Sequence, residues 1–203
     1  MDDPYLLPGT NVLRNLAGIT DPGELVVVEN RVTRARIVQL SNDPLRGTYD
    51  LARLQAIHRH IFQDIYDWAG QLRTVNISKG NTPFAFASAL VPAASELFTR
   101  LRNEKNLQGL GHAVFVSRAA HYLSEINALH PFREGNGRAQ RAFLAQLARD
   151  AGWTIDWHPI SEEQNIRASV EAFGGNENAF AELLGPITTP STTPLRVVPP
   201  PTS

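Results

Sequence analysis

Between Leu51 and Trp68 an apolar residue returns every three or four positions: Leu51, Leu54, Ile57, Ile61, Ile65 and Trp68. That period lines one face of a helix and excludes a half-buried strand, whose period is two. The same spacing recurs at Leu97 and Leu101, at Phe115, Ala119, Tyr122, Leu123 and Ile126, and at Phe143, Leu144 and Leu147. A chain of 203 residues with 42% apolar content has enough such faces to close a real core. The expected fold class is mainly α, a bundle of six or more helices.

Local signals divide the bundle. Asp21-Pro22-Gly23-Glu24 opens a first helix running to about Leu40, with Asp21 as N-cap, Pro22 at the first helical position and Glu24 placed for a capping box. Ser41-Asn42-Asp43-Pro44 then marks a loop. A second helix begins near Asp50 and stops at Gly70. A third begins at Pro92, a fourth spans about His112 to Ala128, and a fifth starts near Gly135 or Asn136. Ser161-Glu162-Glu163-Gln164 is a capping box that opens a sixth. One stretch breaks the pattern, at about residues 71–90. Arg73-Thr74-Val75-Asn76-Ile77 is β-prone, Lys79 to Pro83 is turn-prone, and Phe84-Ala85-Phe86 reads as a return strand. The expectation is a small β-hairpin in a helical domain.

The ends differ from the middle. The first dozen residues read as an extended arm. From Pro186 the chain has six prolines and seven Ser/Thr in eighteen residues, so residues 186–203 read as a disordered tail and residues 1–185 as the domain. With no cysteine, disulfides, thiolate metal sites and cysteine nucleophiles are excluded. The net charge of −1 gives no global field toward nucleic acid or an anionic membrane. The N-terminus is acidic and Pro-rich where a signal peptide is basic then apolar, and no run approaches a membrane span. The reading is a cytosolic protein with neither membrane nor direct nucleic-acid partners.

The chemistry gathers in His130-Pro131-Phe132-Arg133-Glu134-Gly135-Asn136-Gly137-Arg138-Ala139-Gln140-Arg141. Gly135-Asn136-Gly137 lacks bulk, so backbone N–H groups can converge on an anion, and a helix starting there adds its dipole. Arg138 and Arg141 are three apart and share a helix face, from which both can fork onto phosphate. Glu134 stands beside that cradle, where a carboxylate suits Mg²⁺ shared with phosphate oxygens. His130 is a side chain able to take a proton from a hydroxyl nucleophile. Phe132 anchors the loop in the core. The plain alternatives are a turn for the glycines, a solvated face for the arginines and helix capping for Glu134. They weaken when taken together.

This run is similar to the Fic signature, His-x-Phe-x-(Asp/Glu)-Gly-Asn-Gly-Arg-x-x-Arg, at every defined position. Asp67-Trp68-Ala69-Gly70-Gln71-Leu72-Arg73-Thr74 resembles that family's approach to its flap hairpin. Ile126-Asn127-Ala128-Leu129 and Ala151-Gly152-Trp153 resemble the segments flanking its motif. The resemblance implies a protein adenylyltransferase that moves AMP from ATP onto a Ser, Thr or Tyr hydroxyl and releases pyrophosphate. It implies His130 as general base, Glu134 as ligand of Mg²⁺, and Asn136 with the backbone N–H groups of Gly135 and Gly137 on the α-phosphate. Arg138 would hold the β and γ phosphates and Arg141 the γ. The flap, with Thr74, Val75, Asn76, Ile77 and Lys79, would dock the target as an added strand. Adenine would lie near the sixth helix, with Asn165 as a contact.

Two further implications concern subtype. The family's phosphorylating branch has Lys at the place of Gly137, so Gly137 points to nucleotidyl transfer. Self-inhibited members carry (Ser/Thr)-x-x-x-Glu-(Gly/Asn). Here Thr20…Glu24 is followed by Leu25, and Glu29-Asn30 has Leu25 four positions before it, so neither fits. The chain therefore resembles the subgroup of toxins restrained by a separate small antitoxin, whose Glu would reach Arg141. In that subgroup the targets are B-type subunits of gyrase and topoisomerase IV. The other readings are transfer of UMP or GMP, and a silent Fic module that only binds a partner. His58 and His60, two apart on a helix, face away from each other and make a poor metal pair.

Overall fold

The computed structural model describes residues 3–80, 82–176 and 178–192. Its helices are α1 (Pro22–Asn42), α2 (Leu51–Phe62), α3 (Leu90–Asn103), α4 (His112–Leu129), α5 (Asn136–Asp150), α6 (Glu162–Phe173) and α7 (Ala179–Leu184). The strands are short: β1 (Ser78–Lys79) with β2 (Thr82–Pro83), and β3 (Trp153–Ile155) with β4 (Thr188–Pro190), both pairs antiparallel. The mainly helical class with a small hairpin is what the periodicity predicts. Among the described residues no helix is long and apolar enough to cross a membrane.

Two compact units divide the described chain. Residues up to Thr99 with Ile126–Phe143 form the first, and Arg100–Glu125 with residues from Leu144 onward form the second.

In the first unit, α1 starts where its cap dictates: the Asp21 carboxylate accepts from the Glu24 N–H at 2.7 Å, with Pro22 beside it. Its buried residues are Leu25, Glu29, Thr33 and Leu40, so two polar side chains share a stripe that ought to be apolar. The helix α2 is capped by Asp50, which accepts from the Arg53 N–H at 2.9 Å. It packs against α1 and buries Leu54, Ile57, Ile61 and Phe62 completely. It stops at Phe62, not at Gly70. Ile65 and Trp68 stay buried, but on turns that Ile65, Tyr66 and Ala69 N–H groups close onto carbonyls three or four residues back. Hydrophobic spacing alone could not separate a last helical turn from a series of tight turns. Phe143 of α5 receives the edges of Tyr49 and the tilted ring of Phe98.

The hairpin is smaller than its sequence suggests. The segments Arg73–Ile77 and Phe84–Phe86 are not strands. Pairing is confined to Ser78↔Pro83 and Lys79↔Thr82, at the place read as the turn, with one flanking bond from the Phe84 N–H to the Ile77 carbonyl. The flanks spend their polar groups elsewhere, as described below. The N-terminal segment is not an extended arm but a tight return. Leu6 bridges Leu13, the Arg14 N–H reaches the Tyr5 carbonyl, and Tyr5 and Val12 are buried.

In the second unit, Phe115, Leu123, Leu147, Phe180 and Leu184 are buried, and Trp153 stacks on Phe115 at 5.7 Å. Arg118 forks onto Glu104, which also accepts from the Tyr122 hydroxyl at 2.8 Å. The α6 capping box is present as expected. The strand β4 lies inside the segment assigned to the tail, and its first residue, Thr188, is buried, as is Ile187 just before it. The ordered domain therefore runs past residue 185. The Pro/Thr-rich stretch 193–203 lies outside the described residues.

Candidate active site

All of the motif lies in the first unit, between the end of α4 and the first turns of α5. Gly135 has φ +79°, and a Cβ there would stand 2.2 Å from Cζ of the buried Phe62. Both backbone and space therefore require glycine. The Asn136 amide closes the loop: its Oδ1 accepts from the Phe132 N–H at 2.9 Å and its Nδ2 donates to the Phe132 carbonyl at 2.8 Å. The side chain of Asn136 is thus buried and engaged with the loop backbone. The first intrahelical bond of α5 runs from the Ala139 N–H to the Gly135 carbonyl at 3.1 Å. The N–H groups of Asn136, Gly137 and Arg138 precede it, which makes this helix start suited to an anion. Gly137 differs from Gly135. Its φ is not left-handed, and a Cβ would meet only Nη1 of Arg141, at 3.5 Å.

Glu134 turns back on the loop, its Oε1 accepting from the Gly135 N–H at 2.8 Å and standing 3.6 Å from the Arg138 guanidinium. Its side chain is 44% exposed and so open to a cation. The backbone behind it rests on His58. The Gly70 N–H donates to Nδ1 of His58 at 2.8 Å, so Nε2 carries the proton and donates to the Glu134 carbonyl at 2.9 Å. The ring lies between Phe62 and Phe132, at 4.6 and 3.9 Å. Burial, with a contribution from the Arg138 cation, pushes its pKa down to about 4. His58 is thus a neutral core strut.

Arg138 is held by α1. Its guanidinium pairs with Glu29 at 2.5 Å, donates to Thr33 at 3.2 Å and lies 4.7 Å over the Phe62 ring. The other Glu29 oxygen accepts from the Tyr66 hydroxyl. This explains the polar stripe on α1, because Glu29 and Thr33 are one turn apart and face the same arginine. Arg141 shares the Arg138 face of α5 and is half-buried.

His130 has φ +45°, uncommon for a residue with a Cβ. Its ring stacks on Phe84 of the flap at 3.8 Å. Nδ1–H donates to the Asn127 carbonyl at 3.3 Å, which leaves Nε2 as the accepting nitrogen. Burial, aided by the Arg73 and Lys79 cations, pushes its pKa down to about 4, so it is neutral at pH 7. Arg73 organises the flap flanks. Nε donates to the His130 carbonyl at 2.8 Å, Nη1 to the Val75 carbonyl at 2.7 Å, and Nη2 to the carbonyls of Ala85 and, at 3.2 Å, Leu129.

The predicted docking residues are all in the flap segment but not all on strands. Thr74 donates its N–H to the Tyr5 hydroxyl at 3.1 Å, and Asn76 accepts from the Ala87 N–H at 2.9 Å. Ile77 and Val75 contribute carbonyls, and Lys79 lies on β1. Asn165 lies elsewhere, half-buried on α6 in the second unit, its N–H bonded to Ser161. Sequence reasoning missed Glu29, Thr33, Tyr66, His58 and Phe84. One signal was available, a polar pair at i and i+4 on the buried face of the first helix.

A Fic/DOC family pattern matches residues 48–148. Over 179 residues the chain is 46% identical to the probable protein adenylyltransferase Fic of Salmonella typhimurium, covering 88% of each. The chain belongs to the Fic/DOC family. It is also 41% identical over 183 residues to protein adenylyltransferase VbhT of Bartonella schoenbuchensis, covering 90% of this chain and only 38% of VbhT. Among solved structures, BepC from Bartonella tribocorum with bound AMPPNP superposes with a TM-score of 0.86 at 31% identity, covering 93% of this Fic chain and 97% of that one.

Proposed function

We propose that this Fic protein is a nucleotidyltransferase that moves AMP from ATP to a hydroxyl of a target protein. One observation carries the reading: a neutral, half-buried histidine, a carboxylate and a helix start whose first N–H groups have no intrahelical acceptor are gathered in twelve residues beside a hairpin. The phosphates would meet the N–H groups opening α5, with Arg138 and Arg141 beside them. Glu134 suits Mg²⁺: it is half-exposed and stands at the cradle. Among the described residues no group of three or more His, Asp or Glu would cage an ion without phosphate. When bound, the ion neutralises phosphate charge.

Nε2 of His130 takes the proton of the target hydroxyl as its oxygen bonds the α-phosphorus. The bond from that phosphorus to the bridging oxygen breaks, and pyrophosphate leaves with the electron pair. The products are AMP esterified to the target, pyrophosphate and a proton released from His130. A base held near 4 is weak. Its proton transfer therefore falls late, once bonding to phosphorus has made the hydroxyl more acidic.

The family resemblance supports the finer reading: a cytosolic toxin, restrained by a separate antitoxin helix reaching Arg141, that modifies a type II topoisomerase subunit. The internal Glu29 engages the first motif arginine, Arg138. The test incubates the protein and its His130→Ala variant with bacterial lysate, Mg²⁺ and α-³²P-labelled ATP, UTP or GTP. A labelled band of topoisomerase-subunit mass that needs ATP and His130 is expected. Label that persists in His130→Ala, or appears only with UTP or GTP, refutes the mechanism or the nucleotide.

A further inference from the structure

Arg73 is 2% exposed, and burial lowers its pKa. Its side-chain partners described above are all carbonyl oxygens rather than a carboxylate. Burying a cation without a counter-ion is costly, so the arrangement must need what arginine alone supplies. That is a planar fork of five fixed donors. One branch meets Val75 on the way into the flap, another meets Ala85 on the way out, and Nε meets His130 itself. The backbone closes the same joint. The Arg73 N–H donates to Pro131 and the Ala85 N–H donates to Ala128. His130, in its left-handed conformation, is held by its carbonyl at the centre of this net.

We propose that Arg73 is a positioning residue for the transfer reaction, tying both flanks of the flap to the backbone of the base. A target strand seated on the flap then presents its hydroxyl to a histidine whose place is already fixed. This rests on the reading of His130 as base and of the hairpin as docking strand. A lysine keeps the charge but offers its donors from one point and cannot span four carbonyls.

The test uses Arg73→Lys and Arg73→Gln in the full chain. The expected result is a kcat for AMP transfer about 100-fold lower, the scale of a 1 Å misplacement. Affinity for a non-hydrolysable ATP analogue should stay within about twofold, because the guanidinium reaches none of the cradle residues. Unchanged kcat in a folded Arg73→Lys variant, or parallel loss of nucleotide binding, overturns the proposal. Two readouts need neither target nor nucleotide. In the variants, the His130 titration followed by NMR should move from about 4 toward 6.5 as the ring loosens, and an unmoved titration overturns the proposal. In the wild-type protein, the amides of Arg73, Ala85 and His130 should exchange with one common opening free energy. An Ala85 amide exchanging tenfold faster than that of His130 means the flap opens without the base, and the proposal fails. If these readouts hold while no AMP transfer is found, the joint stands and the activity reading falls.

Discussion

Replacing each motif glycine by alanine separates the fold's demand from the ligand's. At Gly135, φ +79° makes any Cβ costly by about 1–2 kcal/mol. The added Cβ would also lie 2.2, 2.4 and 2.9 Å from three atoms of the Phe62 ring. That ring cannot easily retreat, because it is fully buried between His58 at 4.6 Å and the Arg138 guanidinium at 4.7 Å. Overpacking of this kind adds about 1–3 kcal/mol. Gly135→Ala should thus lose about 2–5 kcal/mol, and at about 2–4 °C per kcal/mol for a chain this long the melting temperature falls by roughly 4–20 °C. Gly137→Ala has no such cost, with ordinary φ and 3.5 Å to the nearest atom, and should gain about 0.4–1 kcal/mol through the unfolded chain. Its methyl would stand at the start of α5, where the proposed function would bring phosphate to the backbone. Affinity for the ATP analogue should fall at least tenfold, about 1.4 kcal/mol. Urea melts and calorimetric titration measure both. A Gly135→Ala protein as stable as wild type, or a Gly137→Ala protein that binds normally, refutes the reasoning.

Other consequences follow from the same network. His58 and His130 are both held at about 4 against an ordinary 6.5, so the unfolded chain binds more protons between those values. Stability is therefore complete above about pH 6.5 and falls as pH drops toward 4, by on the order of 3 kcal/mol per histidine, visible as a falling urea midpoint. Glu29→Ala strands the Arg138 cation and the Tyr66 hydroxyl and should cost about 3 kcal/mol in urea unfolding. An undiminished midpoint would mean the pair does not hold α1 to the motif. Asn136→Ala removes both bonds to the Phe132 backbone and should cost about 2–3 kcal/mol in the same assay.

The legible part of the sequence is local. Caps at Asp21, Asp50 and Ser161 act within three residues, so they mark helix starts wherever the helix later packs. Gly135 and its neighbours read as an anion site because the chemistry is contiguous. Strand pairing was less legible. Thr188–Pro190 pairs with Trp153–Ile155 more than thirty residues back, and a Pro/Thr-rich composition hides it. The flap flanks, Arg73–Ile77 and Phe84–Phe86, have strand propensity, yet their carbonyls at Val75 and Ala85 go to one guanidinium instead of a ladder.

By itself, then, the sequence determined the helical class, most helix starts and the identity of the motif, because periodicity, caps and a contiguous run act over a few residues. Tertiary structure decided what each motif side chain is free to do. Asn136 is spent on the loop, Arg138 is shared with Glu29 from more than a hundred residues upstream, and His130 is neutral, stacked and tied to the flap. The physical reason is common to all three. Burial and the satisfaction of polar groups depend on partners that only folding brings within hydrogen-bond distance.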